Sequence, residues 1–138
     1  MDLINKLQKL QNHAARIVLK KKYREHITPS LVYLHWLPVS ARIEYKVAVL
    51  VFKCLNNLAP HYLSNLIQEY VPPRNLRSQS KKLLVVKQCK YKRIGNRAFS
   101  VAGPQIWNSL PLEIRCISKL ESFKTNLKTC LFKKHFNL

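Results

Sequence analysis

Gly95-Asn-Arg-Ala-Phe-Ser-Val-Ala-Gly-Pro-Gln-Ile-Trp-Asn-Ser-Leu-Pro111 holds both glycines of the 138-residue chain, two of its seven prolines and one of its two tryptophans. Glycine adopts positive φ without steric cost, so Gly95 suits a turn out of the basic segment before it. Gly103-Pro104 is expected to break the helix that Arg97 to Ala102 begins. The stretch therefore reads as a turn, a short helix, a kink and a second short helix. Phe99, Val101, Ile106, Trp107 and Leu110 put bulky groups on one side of this bent unit, and Trp107 alone can bury up to about 250 Å2. Its plain reading is a plug for a hydrophobic core.

Outward from this plug the sequence is helical. From Leu3 to Lys20 the apolar Leu3, Leu7, Leu10, Ala14, Ile17 and Val18 recur at helical spacing with no Gly or Pro among them, which predicts an amphipathic helix. A second stripe of the same period, Lys6, Lys9, His13, Arg16 and Lys20, runs beside them. It is either a track for a phosphate backbone or the solvated face of a basic protein. Thr28-Pro29 reads as an N-cap and first-turn proline of a short helix that ends near Trp36, since Pro38 forbids continuation. Trp36 reads as core and His35 as a hydrogen-bonded, half-buried residue. Ser40 is expected to cap a helix to about Asn57, with Ile43, Val47, Leu50, Cys54 and Leu58 on one face. That helix is apolar most of the way round and so central. Pro60 opens another, with Leu63, Leu66, Ile67 and Tyr70 inward, ended by Pro72-Pro73. The last helix carries a capping-box pair, Ser118 and Glu121, and an inner face of Leu120, Phe123, Leu127 and Leu131.

Between these helical parts lies the charge. The chain has 25 Lys and Arg against six Asp and Glu, a net +19, with no acidic residue between Tyr70 and Leu112. Within that interval sit Arg74, Arg77, Lys81, Lys82, Lys87, Lys90, Lys92, Arg93 and Arg97, interleaved with Tyr91. Such a charge repels itself, and a polyanion is the natural partner, with nucleic acid ahead of an anionic membrane surface. Arg grips phosphate oxygens with a planar fork, Lys acts as a point charge, and Tyr91 can stack on an unpaired base. Five such contacts on a single strand give a slope of log K against log salt of about −3.5. Leu83 to Val86 is a short β-prone run. The bland reading of the segment is a basic loop with no defined partner.

The expected fold is mainly α: a compact helical domain of about five to six helices, with a short β strand or strand pair in the basic 78–95 segment. A single domain spans 1–138, divided into a helical part (1–71), a basic loop or strand segment (72–95), and a kinked helix unit with a capped C-terminal helix (96–138). Hydrophobic residues make up 47% of the chain, enough for a core.

Chemistry-bearing constellations are sparse. Cys54, Cys89, Cys116 and Cys130 form no Cys-x-x-Cys pair and read as free thiols in a reducing compartment. Cys130 with His135 is the nearest approach to metal-ligand spacing, and no second pair accompanies it, so neither metal nor cofactor is expected. Asp2, Glu25, Glu44, Glu69, Glu113 and Glu121 stand apart, whereas two-metal phosphoryl chemistry needs clustered carboxylates. There is no Gly-rich phosphate loop or nucleophile elbow. The longest apolar run, Val47 to Phe52, is far short of the ~18 residues a membrane span requires. The reading is a non-catalytic, intracellular chain, nuclear or cytoplasmic, without a small-molecule substrate or a membrane. Lys20-Lys21-Lys22-Tyr23-Arg24 is either a nuclear localisation patch or a solvated helix end.

The stretch from Gly95 to Pro111 also carries a likeness. With His35-Trp36-Leu37-Pro38-Val39, "LNNLAPHYL" (55–63), "NLRS" (75–78), "LLVV" (83–86) and "LESFKTNLKTCLF" (120–132), it resembles, in the same order, the C-terminal tail of the reverse transcriptase polyprotein of non-LTR retrotransposons, the long interspersed elements. The resemblance covers nearly the whole chain, and it is to the part after the polymerase. It implies a tail that holds RNA or single-stranded DNA by its backbone, and that continues upstream into a polymerase thumb, so that a start at Met1 marks an excised piece. Two other readings stand beside this one: an interaction brace whose apolar faces dock on that thumb, and a decayed element fragment without a selected role.

Overall fold

A computed structural model of the chain describes residues 3–72, 82–90 and 92–138, the side chains of Lys92 and Arg93 excepted. Among these the chain forms α1 (Leu3–Val18), α2 (Thr28–Tyr33), α3 (Val39–Leu55), α4 (His61–Ser64), α5 (Lys92–Gly95), α6 (Phe99–Ser109), α7 (Leu112–Arg115) and α8 (Leu120–Phe136). The protein is mainly α, as its periodicity predicts. It divides into two compact units, one of residues 1–45 and 128–138 and the other of residues 46–127.

In the first unit α1 packs beside α2, but with an unexpected face. Its leucine stripe lies in solvent, with Leu3 73%, Leu10 66% and Ile17 77% exposed. Turned inward instead are Ala15, fully buried, and the half-buried Gln8, Gln11, Asn12 and Leu19. The amides explain this choice. Gln11 donates through Nε2 to the Leu37 carbonyl at 2.8 Å, and Gln8 accepts the Val39 N–H at 2.8 Å. Val39 opens α3 and its amide has no partner inside the helix, so Gln8 caps α3 from 31 positions earlier, where Ser40 was the expected cap. Ser30, Leu31, Leu37, Ala41 and Leu131 are also buried in this unit, and Phe132 stacks on His35 at 5.8 Å. His35 is exposed rather than half-buried, and at φ 51° it turns the chain after α2, three positions before Pro38.

The second unit is built round three stacked rings. Phe52 of α3 lies 4.4 Å from Phe123 of α8, and Trp107 of α6 lies 5.8 Å from the same ring. Val51, Ile67, Leu84, Val101, Pro104, Leu110, Ile114 and Leu127 fill in around them. Trp107 is thus the core plug its sequence context predicts. On α3 the buried face is Ala48, Val51 and Phe52 with Cys54, whereas Ile43 and Leu58 are exposed. Small alanines let the neighbouring chain approach, so the inward face is set by fit rather than by the largest aliphatic side chains.

Four expectations are corrected here. α6 runs unbroken through Gly103-Pro104, with Pro104 inside it. Neither glycine has positive φ; both serve close approach. A Cβ on Gly103 would lie 3.0 Å from Val51 Cγ2 and 3.4 Å from Ile67 Cδ1, and one on Gly95 would lie 2.6 Å from Cys89 Cβ. The helix expected from Pro60 to Pro72 is the single turn α4, with Ile67 buried but Leu66 and Tyr70 exposed. Finally, the strand or strand pair expected in 78–95 does not form among the described residues, where one antiparallel bridge, Glu69 with Leu84, stands in its place. Its two hydrogen bonds, Tyr70 N–H to Leu83 O and Val85 N–H to Gln68 O, both 2.9 Å, use one edge of this run, and the backbone groups of Leu84 on the other edge go to a side chain.

Candidate nucleic-acid interface

That side chain is Asn108. Its Oδ1 accepts the Leu84 N–H and its Nδ2 donates to the Leu84 carbonyl, each at 2.9 Å, so one amide does for Leu84 what a partner strand would. The neighbouring Trp107 donates its indole N–H to the Lys82 carbonyl at 2.9 Å. Leu84 is buried beneath this clamp. The described part of the basic segment is therefore fastened to α6 at alternate residues, 82 and 84, and Lys82 itself sits in the left-handed region at φ 46°.

A second fastening lies further on. Cys89 is packed against Gly95 and its thiol donates to Asn96 Oδ1 at 3.3 Å. The seven-position closure draws the turn that carries Lys90 and the backbone of α5 into a compact bend. Lys87 lies on the short stretch between these two fastenings, and Arg97 follows the second. Lys82, Lys87, Lys90 and Arg97 are all exposed. Among the described residues the ion pairs are Lys21–Glu25, Lys124–Glu121 and Lys134–Glu44, and none takes a cation from this segment.

Of the residues singled out from sequence, those four are placed by the structure on the second unit. Arg74, Arg77, Lys81 and Tyr91 lie outside the described residues, as do the side chains of Lys92 and Arg93, whose backbone belongs to α5. The secondary stripe is on the first unit. Lys6, Lys9 and Lys20 are exposed, while Arg16 is half-buried, its guanidinium 5.4 Å over the Tyr23 ring and its Nη2 donating to the Glu25 carbonyl at 3.4 Å.

Sequence reasoning missed Arg115. It is buried, donates from Nε to the Leu110 carbonyl at 3.1 Å, and burial draws its pKa below the ordinary guanidinium value while leaving it charged at neutral pH. With Lys82, Asn56, Ser118 and Trp107 it lines a cleft of about 170 Å3 in the second unit. Nothing in its local context, Glu-Ile-Arg-Cys, distinguishes it from a surface arginine.

Cys54, Cys89, Cys116 and Cys130 are free thiols, and burial pushes the Cys54 pKa upward. Among the described residues no three His, Cys, Asp or Glu side chains come together as a metal site would require, and no helix is long and apolar enough to cross a membrane. Compared with known proteins, the chain matches no family model, no curated protein and no solved structure.

Proposed function

We propose that the chain is a non-catalytic nucleic-acid-binding module, the likeness of a non-LTR reverse transcriptase tail, that holds the backbone of RNA or single-stranded DNA through its 74–97 segment. The observation that carries this reading is the fastening of Lys82 and Leu84 to Trp107 and Asn108, with the exposed Lys82, Lys87, Lys90 and Arg97 in no ion pair among the described residues. A basic loop with no task gains nothing from a buried clamp. Cations whose backbone is fixed beforehand lose less freedom on meeting phosphates, and so bind more tightly than the same charges on a free chain. The contacts are to phosphate and sugar, which position a nucleic acid without reading its sequence.

The test is a salt titration of binding to RNA, single-stranded DNA and duplex DNA, with the wild-type chain beside a Lys82→Gln/Lys87→Gln/Lys90→Gln/Arg97→Gln variant. Wild type is expected to favour the single strands. The variant should bind at least about tenfold more weakly at low salt, its slope shallower by about 2.8 if all four cations touch phosphate. Equal slopes for the two proteins would remove this segment from the interface.

A further inference from the structure

The exposed stripe of α1 is more ordered than an accidental surface. Leu3, Leu7, Leu10, Ala14 and Ile17 follow the alternating four-three spacing of a heptad seam. At about 100° per residue the helix has three faces. The seam forms one, the amides and Ala15 that pack within the first unit form the second, and Lys6, Lys9 and His13 with Arg16 form the third. Single exposed leucines need no explanation, but a row of them along one helix that its own unit leaves uncovered does.

We propose that this seam is the docking surface for an amphipathic helix of a partner protein whose own apolar seam is flanked by Glu and Asp. Charge decides the occupant. Lys6 and His13 border the seam along one edge, Lys20 follows just beyond the end of the helix, and no acidic residue lies between Leu3 and Lys20. A second copy of the chain would set lysine against lysine in an antiparallel pair and lysine against Gln11 or Val18 in a parallel one; neither supplies a counter-charge. A lipid surface suits the stripe less well, because it is narrow, interrupted by Ala14 and without Trp or Phe, where an interfacial helix presents a broad face with aromatic anchors. The helix is already ordered by its amide face, so a partner finds its binding geometry formed in advance. This surface belongs to the first unit and the inference stands whether or not the basic segment of the second binds nucleic acid.

Two synthetic peptides test it, both of about three heptads with Leu and Ile on the seam, one carrying Glu and the other Lys at the flanking positions. Each is titrated with the full chain by fluorescence anisotropy. The Glu peptide should bind at least about tenfold more tightly than the Lys peptide, and the preference should shrink as salt is raised. Leu7→Ser/Leu10→Ser, both at exposed positions, should abolish binding with the far-ultraviolet circular dichroism unchanged. Lys6→Glu/Lys20→Glu should reverse the preference, a gain of binding to the Lys peptide that misfolding cannot imitate. Equal binding of the two peptides, binding of neither, or an unmoved preference in the charge-reversed variant overturns the proposal. So does a stable dimer by sedimentation that the Leu7→Ser/Leu10→Ser change dissolves, or adsorption to phosphatidylserine vesicles in place of either peptide.

Discussion

The Trp107 indole N–H donates to the carbonyl of Lys82, 25 positions earlier, at 2.9 Å, and the same ring packs on Phe123. One side chain thus belongs both to the core and to the fastening of the basic segment. Trp107→Phe keeps an aromatic ring and removes the donor, leaving the Lys82 carbonyl without it. The expected cost is about 1–3 kcal/mol, read as a lower urea midpoint with an unchanged slope. Hydrogen exchange should quicken first at Leu84 and Val85. Asn108→Ala should act on the same amides, and the double variant should lose less than the sum because both side chains hold one segment.

Gly103→Ala sets two effects against each other. Alanine is favoured inside a helix by about 1 kcal/mol, but overpacking costs about 1–3 kcal/mol, and the new methyl meets Val51, which is fully buried, at 3.0 Å. A net loss of about 1 kcal/mol is expected by thermal or urea unfolding. In a Val51→Ala background the tightest contact is removed, leaving Phe99 at 3.3 Å and Ile67 at 3.4 Å, and the same change should cost less.

Phe123 is fully buried between Phe52 and Trp107. Phe123→Ala should cost about 3–5 kcal/mol, and Phe123→Leu less than half as much because it leaves a smaller cavity. A Phe123→Ala chain as stable as wild type would mean that the stack does not centre the second unit.

Glu25 accepts the Lys22 amide at 2.8 Å and pairs with Lys21 at 3.0 Å, and these hold its carboxyl below the ordinary 4.5. Because the folded value is the lower one, the ionised turn contributes stability above about pH 4.5 and loses it as pH falls through the folded value. An NMR titration should give Glu25 a midpoint below 4.5. Lys21→Ala should raise that midpoint only in part, since the amide contact, the larger cause, remains.

What was legible in the sequence is what periodicity encodes. The extent of α1 and α3, the buried row Phe123, Leu127 and Leu131 on α8, and the burial of Trp107 all follow from spacing. Periodicity locates hydrophobes; it does not say which face finds a partner within the chain. For that reason the inward amide face of α1 went unread, since Gln8 and Gln11 earn their positions from backbone groups some thirty residues away. The clamp by Asn108 has no local signature either, and the β-prone Leu83 to Val86 run yielded a single bridge on one edge while a side chain took the place of a strand on the other. Gly103-Pro104 misled for a related reason: a glycine chosen for contact looks, in sequence, like a glycine chosen for a bend. In the candidate interface the charges could be seen directly, whereas the two fastenings that organise them could not.

Lys82 occupies a left-handed backbone conformation, φ 46°, that a side-chain-bearing residue adopts at a cost of roughly 1–2 kcal/mol. Glycine would be easier there. Replacing Lys82 by glycine should therefore leave the protein at least as resistant to urea while weakening its grip on a polyanion, so that folding and recognition respond in opposite directions to one substitution. Such divergence would make position 82 the place to separate the two properties.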